Sequence, residues 1–168
     1  MKDRIIFLAL AMVLAITGAI AFGGQVFAHE QREVGDTGQF HFVVGFLNEP
    51  AVQGEVNAIS VRITRNDPDA SPAAEGDAVV LEPITGLEAS LTFEIIYEDQ
   101  TAELPVETVW QEDGHYVAYV IPTQPGTYSF RISGEIEGVV IEEVFTAGPE
   151  TFSEVTPRTD LEFPAPAE

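Results

Sequence analysis

Two runs of alternating apolar residues flank a proline–glycine turn in residues 113–134, DGHYVAYVIPTQPGTYSFRISG. Tyr116, Ala118 and Val120 alternate in the first run and Tyr128, Phe130 and Ile132 in the second, a period of two that sets each group on one strand face. Pro122 ends the first run, and Pro125-Gly126 supplies the fixed φ and then the positive φ of a type II turn. The segment therefore predicts a central hairpin. The same period recurs at Phe42, Val44 and Phe46 in residues 40–47, and at Ile59, Val61 and Ile63 in residues 57–65, where Ser60, Arg62 and Thr64 face outward. Leu91, Phe93, Ile95 and Tyr97 mark a further strand, and residues 79–81 a short edge strand. Residues 101–110 contain Pro105, which cannot donate to a ladder and so implies an edge position or a bulge. Beyond Gly134, Gly138 permits another hairpin, with Val139, Ile141 and Val144 or Phe145 continuing the pairing. About seven short strands, frequent turn signals and no helical period after residue 28 predict an all-β fold, an Ig-like antiparallel β-sandwich over residues 40–147.

The first 28 residues obey a different pattern. Lys2 and Arg4 precede an apolar run over residues 5–20, and Val26-Phe27-Ala28 ends the segment with a sequence suited to signal peptidase. The segment reads as a signal peptide cleaved after Ala28, or as an uncleaved anchor helix, since the run approaches the ~20 residues that span a bilayer. Either way the domain is exported, to the periplasm, the extracellular space or the outer face of the membrane. Residues 29–39 form a polar arm, and residues 148–168 an acidic tail containing prolines.

Charge narrows the partners. The chain carries a net charge of −21, and loss of residues 1–28 removes two basic and one acidic residue, giving −22 with arginine alone on the basic side. Such a field repels nucleic acid and anionic lipid headgroups, so membrane contact is expected only through the N-terminal segment. Solubility in a salty habitat explains the charge without a ligand. Cysteine is absent, which excludes disulfides, thiolate metal sites and cysteine nucleophiles. The two methionines, Met1 and Met12, lie in the N-terminal segment, so a Cu(I) site has no soft ligand in the domain.

No serine sits in a G-x-S-x-G context, no H-E-x-x-H helix occurs and no phosphate-binding glycine loop is present, so the chain reads as non-enzymatic. Residues 66–77 space Asp67, Asp69 and Ser71 like calcium ligands but lack the glycine at the sixth position and the glutamate at the twelfth. The histidines are more informative. Cleavage after Ala28 would make His29 the N-terminal residue, whose α-amine and ring Nδ1 together suit Cu(II). Asp113 and His115 offer an oxygen and a further nitrogen, with His41 as a reserve ligand, because the arm between His29 and His41 reaches roughly 40 Å when extended. The plain alternative makes His115 an exposed strand-start residue, His41 an outward strand residue and His29 an accident of processing. Among the aromatic residues, Trp110, Tyr97, Tyr116, Tyr119 and Tyr128 offer a carbohydrate- or peptide-binding patch, against the commoner role of core packing. Tyr119 stands out because it shares the second face of its strand with Val117 and Ile121. A strand apolar on both faces is buried on both sides or meets a partner on one.

The segment GHYVAYVIPTQPGTYSFRISG, together with NEPAVQGEVNAISVRIT and the export segment, resembles the bacterial exported YtkA-like domains, which are Ig-like sandwiches. A histidine directly after an alanine cleavage site, with Asp113-Gly114-His115, resembles the CopC-like periplasmic copper carriers. That second resemblance implies Cu(II) ligation by His29, Asp113 and His115. The chain departs from it in that His115 opens a strand and a full hairpin follows, and in having no Met-rich region. The sequence thus predicts an exported, non-enzymatic β-sandwich binding Cu(II) through the mature N-terminal histidine, or a structural or protein-interaction module of the cell envelope with no metal, in which Tyr119 and Trp110 would contact the partner.

Overall fold

A computed structural model describes residues 29–66 and 81–164; the expected N-terminal helix, residues 67–77 of the acidic segment and residues 79–80 of the expected edge strand lie outside them. The organising strand is β3 (Asn57–Asn66), whose Ile59, Val61 and Ile63 are buried on one face as the alternation predicts. Antiparallel to it run β2 (Phe40–Phe46) on one edge, and β8 (His115–Val120) and β4 (Leu81–Pro83) in succession on the other. The outer positions of this sheet are β1 (Glu30–Val34), beside β2, and β7 (Glu107–Thr108), beside β8. A second antiparallel sheet has the order β10 (Val139–Thr146), β9 (Ser129–Ile136), β5 (Leu91–Tyr97), β6 (Gln100–Leu104). The chain is all-β, an antiparallel sandwich. Its core lies between the sheets, where Phe42 stacks on Phe145 and Phe46 meets Phe130 edge-on at 5.0 Å.

Among the described residues ten strands are present, where the alternation predicts about seven. The polar arm is partly a strand, because β1 pairs with β2 along its whole length. Its polar sequence hides an inward role: Arg32 lays its guanidinium 4.2 Å over the Phe145 ring and pairs with Glu30 and Glu143, while its stem covers the sandwich edge. The acidic tail is also held down. Phe152 stacks on Phe130 at 4.6 Å, Val155 exchanges two backbone hydrogen bonds with Gly126, and the Glu49 carboxylate accepts from the backbone and hydroxyl of Ser153.

The expected central hairpin is corrected most. β8 and β9 belong to different sheets, so residues 121–128 cross from one to the other. The backbone groups of the crossover find outside partners: Pro122 accepts from Gly54, and Gly126, at φ 114°, pairs with Val155. Pro105 marks a comparable switch, since β6 ends at Leu104 in the second sheet and β7 begins at Glu107 in the first. Its missing N–H suits the corner between two edge strands.

Candidate functional site

The outer face of the first sheet follows from the register. Residues paired directly across antiparallel strands share a face, so Val43, Arg62 and His115 form one row, Gly45, Ser60 and Val117 the next, and Ala58 and Tyr119 a third. Leu47 donates its N–H to the Ala58 carbonyl at 2.9 Å and extends the third row. The pairing ends at Asn57 and Val120, and Val56 and Ile121 lie just beyond it. Three large apolar side chains stand open at this end: Val56 is 64% exposed, Tyr119 51% and Ile121 50%. Toward the middle of the same face, Val117 is only 1% exposed and Ala58 and Ser60 are buried beside it, although the second sheet lies on the opposite side. Both alternatives read from the apolar strand are therefore present at once, burial at the centre and an exposed patch at one end.

His115 closes the other end. It is 3% exposed, with Nε2 2.8 Å from Ser60 Oγ and Nδ1 2.9 Å from Glu112 Oε2. A carboxylate only accepts, so Nδ1 carries the hydrogen toward Glu112 and Nε2 accepts from Ser60. Arg62 pairs with the same Glu112 carboxylate. Burial pushes the His115 pKa below its ordinary value, opposed by the Glu112 hydrogen bond and assisted by the charges of Arg62 and, least, His29. Arg62 and His115, through their hydrogen bonds, hold Glu112 below the usual carboxylate range. His115 is therefore buried with both ring nitrogens hydrogen-bonded, and is not an exposed strand-start side chain.

The other expected ligands are spread out. Asp113 lies exposed on the turn before β8, where it lines a cavity of about 300 Å³ together with Trp110, Glu112 and His115. His41 lies on the outer face of β2, opposite Glu33 at 3.9 Å, while His29 precedes Glu30 at the far end of β1. Four residues of strand, about 13 Å, separate the rows of His29 and His41. Among the described residues no group of three or more histidine, aspartate or glutamate side chains is placed to hold a metal ion. His29 instead shares a cavity of about 180 Å³ with Glu30, Gln31 and Glu150. Glu150 belongs to the loop after β10 and had no signal in the sequence, because its approach to His29 depends on β1 and β10 meeting across the sandwich edge.

The aromatic residues do not gather. Tyr116 and Tyr128 are core, and Tyr97 packs on Tyr128 at 4.7 Å while donating to the Pro125 carbonyl. Trp110 is 86% exposed, but it sits on the turn at the start of β8 whereas Tyr119 lies near the end of that strand. The two partner-contact residues expected from the sequence therefore occupy different ends of the sheet. No family model, curated protein or solved structure matches the chain.

Proposed function

We propose that this chain is an exported, non-enzymatic interaction module of the cell envelope that docks a partner on the outer face of β2, β3 and β8. The observation that carries this reading is the set of exposed apolar side chains, Val56, Tyr119 and Ile121, at the end of the sheet where the pairing of β3 with β8 stops. Charge describes the partner further. Arg32, Arg62, Arg65, Arg131 and Arg158 are all paired with glutamates inside the fold, so the remaining surface charge is acidic. A partner that covers the patch gains from an apolar stripe flanked by lysine or arginine. The test is a photoreactive phenylalanine analogue placed at Tyr119 in the exported protein, with Val140 on the other sheet as the control site. A discrete adduct at 119 in several-fold excess over 140 is expected; equal yields at the two sites would remove the reading.

A second reading, Cu(II) at a processed N-terminus, is favoured by the cavity that His29 shares with Glu30 and Glu150. The His115 ring is hydrogen-bonded at both nitrogens, so this reading is carried by His29 and its own neighbours. The α-amine and ring of His29 with the Glu150 carboxylate would make an alternative three-donor set of the nitrogen–oxygen kind that copper(II) accepts. Copper titration of the chain beginning at His29 should then show one equivalent bound and a paramagnetic spectrum altered by Glu150→Gln. One residue added before His29 should abolish both, and binding indifferent to that extension would eliminate the site.

A further inference from the structure

We propose that the free edge of β6 accepts a short, basic, extended peptide segment as an added antiparallel strand, one apolar side chain of which seats in the open mouth between the two sheets. This goes beyond the docking patch at Tyr119, with which the edge shares Ile121.

Three observations converge on it. The first is a set of unused backbone groups. β6 is the last strand of its sheet, and Tyr97 and Gln100 close a two-residue turn, so Gln100, Ala102 and Leu104 direct their N–H and C=O groups toward β5. Thr101 and Glu103 direct theirs outward, and among the described residues no backbone hydrogen bond from beyond the ladder reaches them. The edge thus offers donors and acceptors for a neighbouring strand, and it stops at Pro105, which has no N–H. The opposite edge of the same sheet is occupied: the carbonyls of Val144 and Thr146 accept from Arg32 and from the Thr151 hydroxyl.

The second is a cavity beside the free edge. Ala102 pairs with Ile95, so the two share the face toward the first sheet, and with Tyr97, Gln100, Val120 and Ile121 they line a space of about 230 Å³. A strand added to β6 sets one residue directly opposite Ala102, on that face and in the closely spaced position about 4.5 Å away, with its side chain entering this space. The space is smaller than the roughly 300–1,000 Å³ of small-molecule pockets and suits a single large aliphatic side chain.

The third is charge. Glu98, Asp99 and Glu103 are exposed along the hairpin and enter no ion pair among the described residues, whereas Glu94, across from Glu103, is matched by Arg131. The residue of the incoming strand that pairs with Glu103 lies on the outer face, where lysine or arginine is favoured. A second copy of the domain would instead bring the same acids to the same edge.

The test uses the exported protein and a capped heptapeptide that alternates lysine with valine and carries leucine at its centre. Amide hydrogen exchange at Thr101 and Glu103 should slow at least about tenfold when the peptide saturates, with Val140 on the far edge unchanged. N-methylation of the lysines, whose N–H groups face β6 in the antiparallel arrangement, should weaken binding about tenfold or more, and N-methylation of the apolar residues, whose N–H groups point away, less than about threefold. Ala102→Phe fills the cavity from an exposed position and should also weaken the peptide. Exchange indifferent to the peptide, equal effects of the two methylation patterns, or full affinity in Ala102→Phe would overturn the inference. So would Thr101 and Glu103 already protected in a dimer of the free protein, which would assign the edge to a second copy. The photo-adduct at 119 fails or succeeds separately: an adduct without protection at Thr101 leaves the patch and removes the edge, and protection without an adduct leaves the edge as the docking surface.

Discussion

Gly134→Ala is expected to destabilise the domain by about 2–5 kcal/mol, combining the cost of a left-handed backbone with that of overpacking. Gly134 lies in β9, flanked by Leu91 of β5 and Ile141 of β10, and holds φ at 140°. A Cβ built there falls 2.1 Å from the Ser90 carbonyl oxygen and 3.1 Å from Leu91 Cα. Both neighbours are backbone, and Ser90 is itself engaged, accepting from Glu135 N–H, so no side chain can swing away to make room. Urea unfolding followed by tryptophan and tyrosine fluorescence would measure the loss as a lower midpoint with an unchanged slope. Gly138→Ala offers a contrast. That glycine also has positive φ, at 85°, but faces open space, so only the backbone cost of about 1–2 kcal/mol applies. Equal losses at the two positions would show that the close approach to Ser90 is not what matters at Gly134.

The same comparison explains what the sequence could reveal about the fold. Alternation identified the inward residues of β2, β3, β5 and β8, and those residues form the core. Alternation says which face of a strand is buried, but the two sheets of a sandwich share one core, so it cannot say which sheet a strand joins. That is why residues 113–134 read as a hairpin. The decisive partners of the crossover, Gly54 and Val155, lie far away in the chain and carry no hydrophobic signal of pairing with it. β1 was hidden for another reason. Its inward positions Glu30 and Arg32 are polar because they seal the sandwich at an edge, where a guanidinium can cover Phe145 and still reach carboxylates.

Legibility of the candidate site divides along the same line. The doubly apolar character of β8 was visible in the sequence, and it led to Tyr119, which is exposed on a face whose centre is buried. Trp110 was equally visible as a residue, but its separation from Tyr119 depends on the turn that positions it. His115 drew attention as a ligand type beside Asp113. Its actual partners are Glu112, three residues before it, and Ser60, fifty-five residues away and brought alongside only by the pairing of β3 with β8. A histidine at a strand start has the same local sequence whether it is open or enclosed. The neighbour across the sheet decides.

That enclosure gives the domain an expected dependence on pH. His115 has its pKa lowered in the folded state, chiefly by burial, from an ordinary value near 6.5. The unfolded chain therefore takes up a proton below about pH 6.5 that the folded chain does not, and stability falls as pH drops from there toward the folded value. One proton sets the ceiling on the slope at about 1.4 kcal/mol per pH unit. Protonation would also convert Nε2 into a donor facing Ser60, ending the acceptance of that hydroxyl's hydrogen. Glu112 acts lower on the scale: its depressed pKa adds stability above its ordinary value of 4.5, which is lost as pH falls through the folded value. Between pH 5 and 6.5 the difference between wild type and a non-titrating variant isolates the histidine. His115→Gln retains a donor and an acceptor but cannot charge, and should cost about 1–3 kcal/mol at pH 8 through imperfect replacement of the two buried hydrogen bonds. Its deficit should shrink as pH is lowered through this window, because wild type loses stability there and the variant does not. Urea midpoints at half-unit steps of pH would trace the two curves, and parallel curves would mean that the burial of His115 is not linked to its protonation.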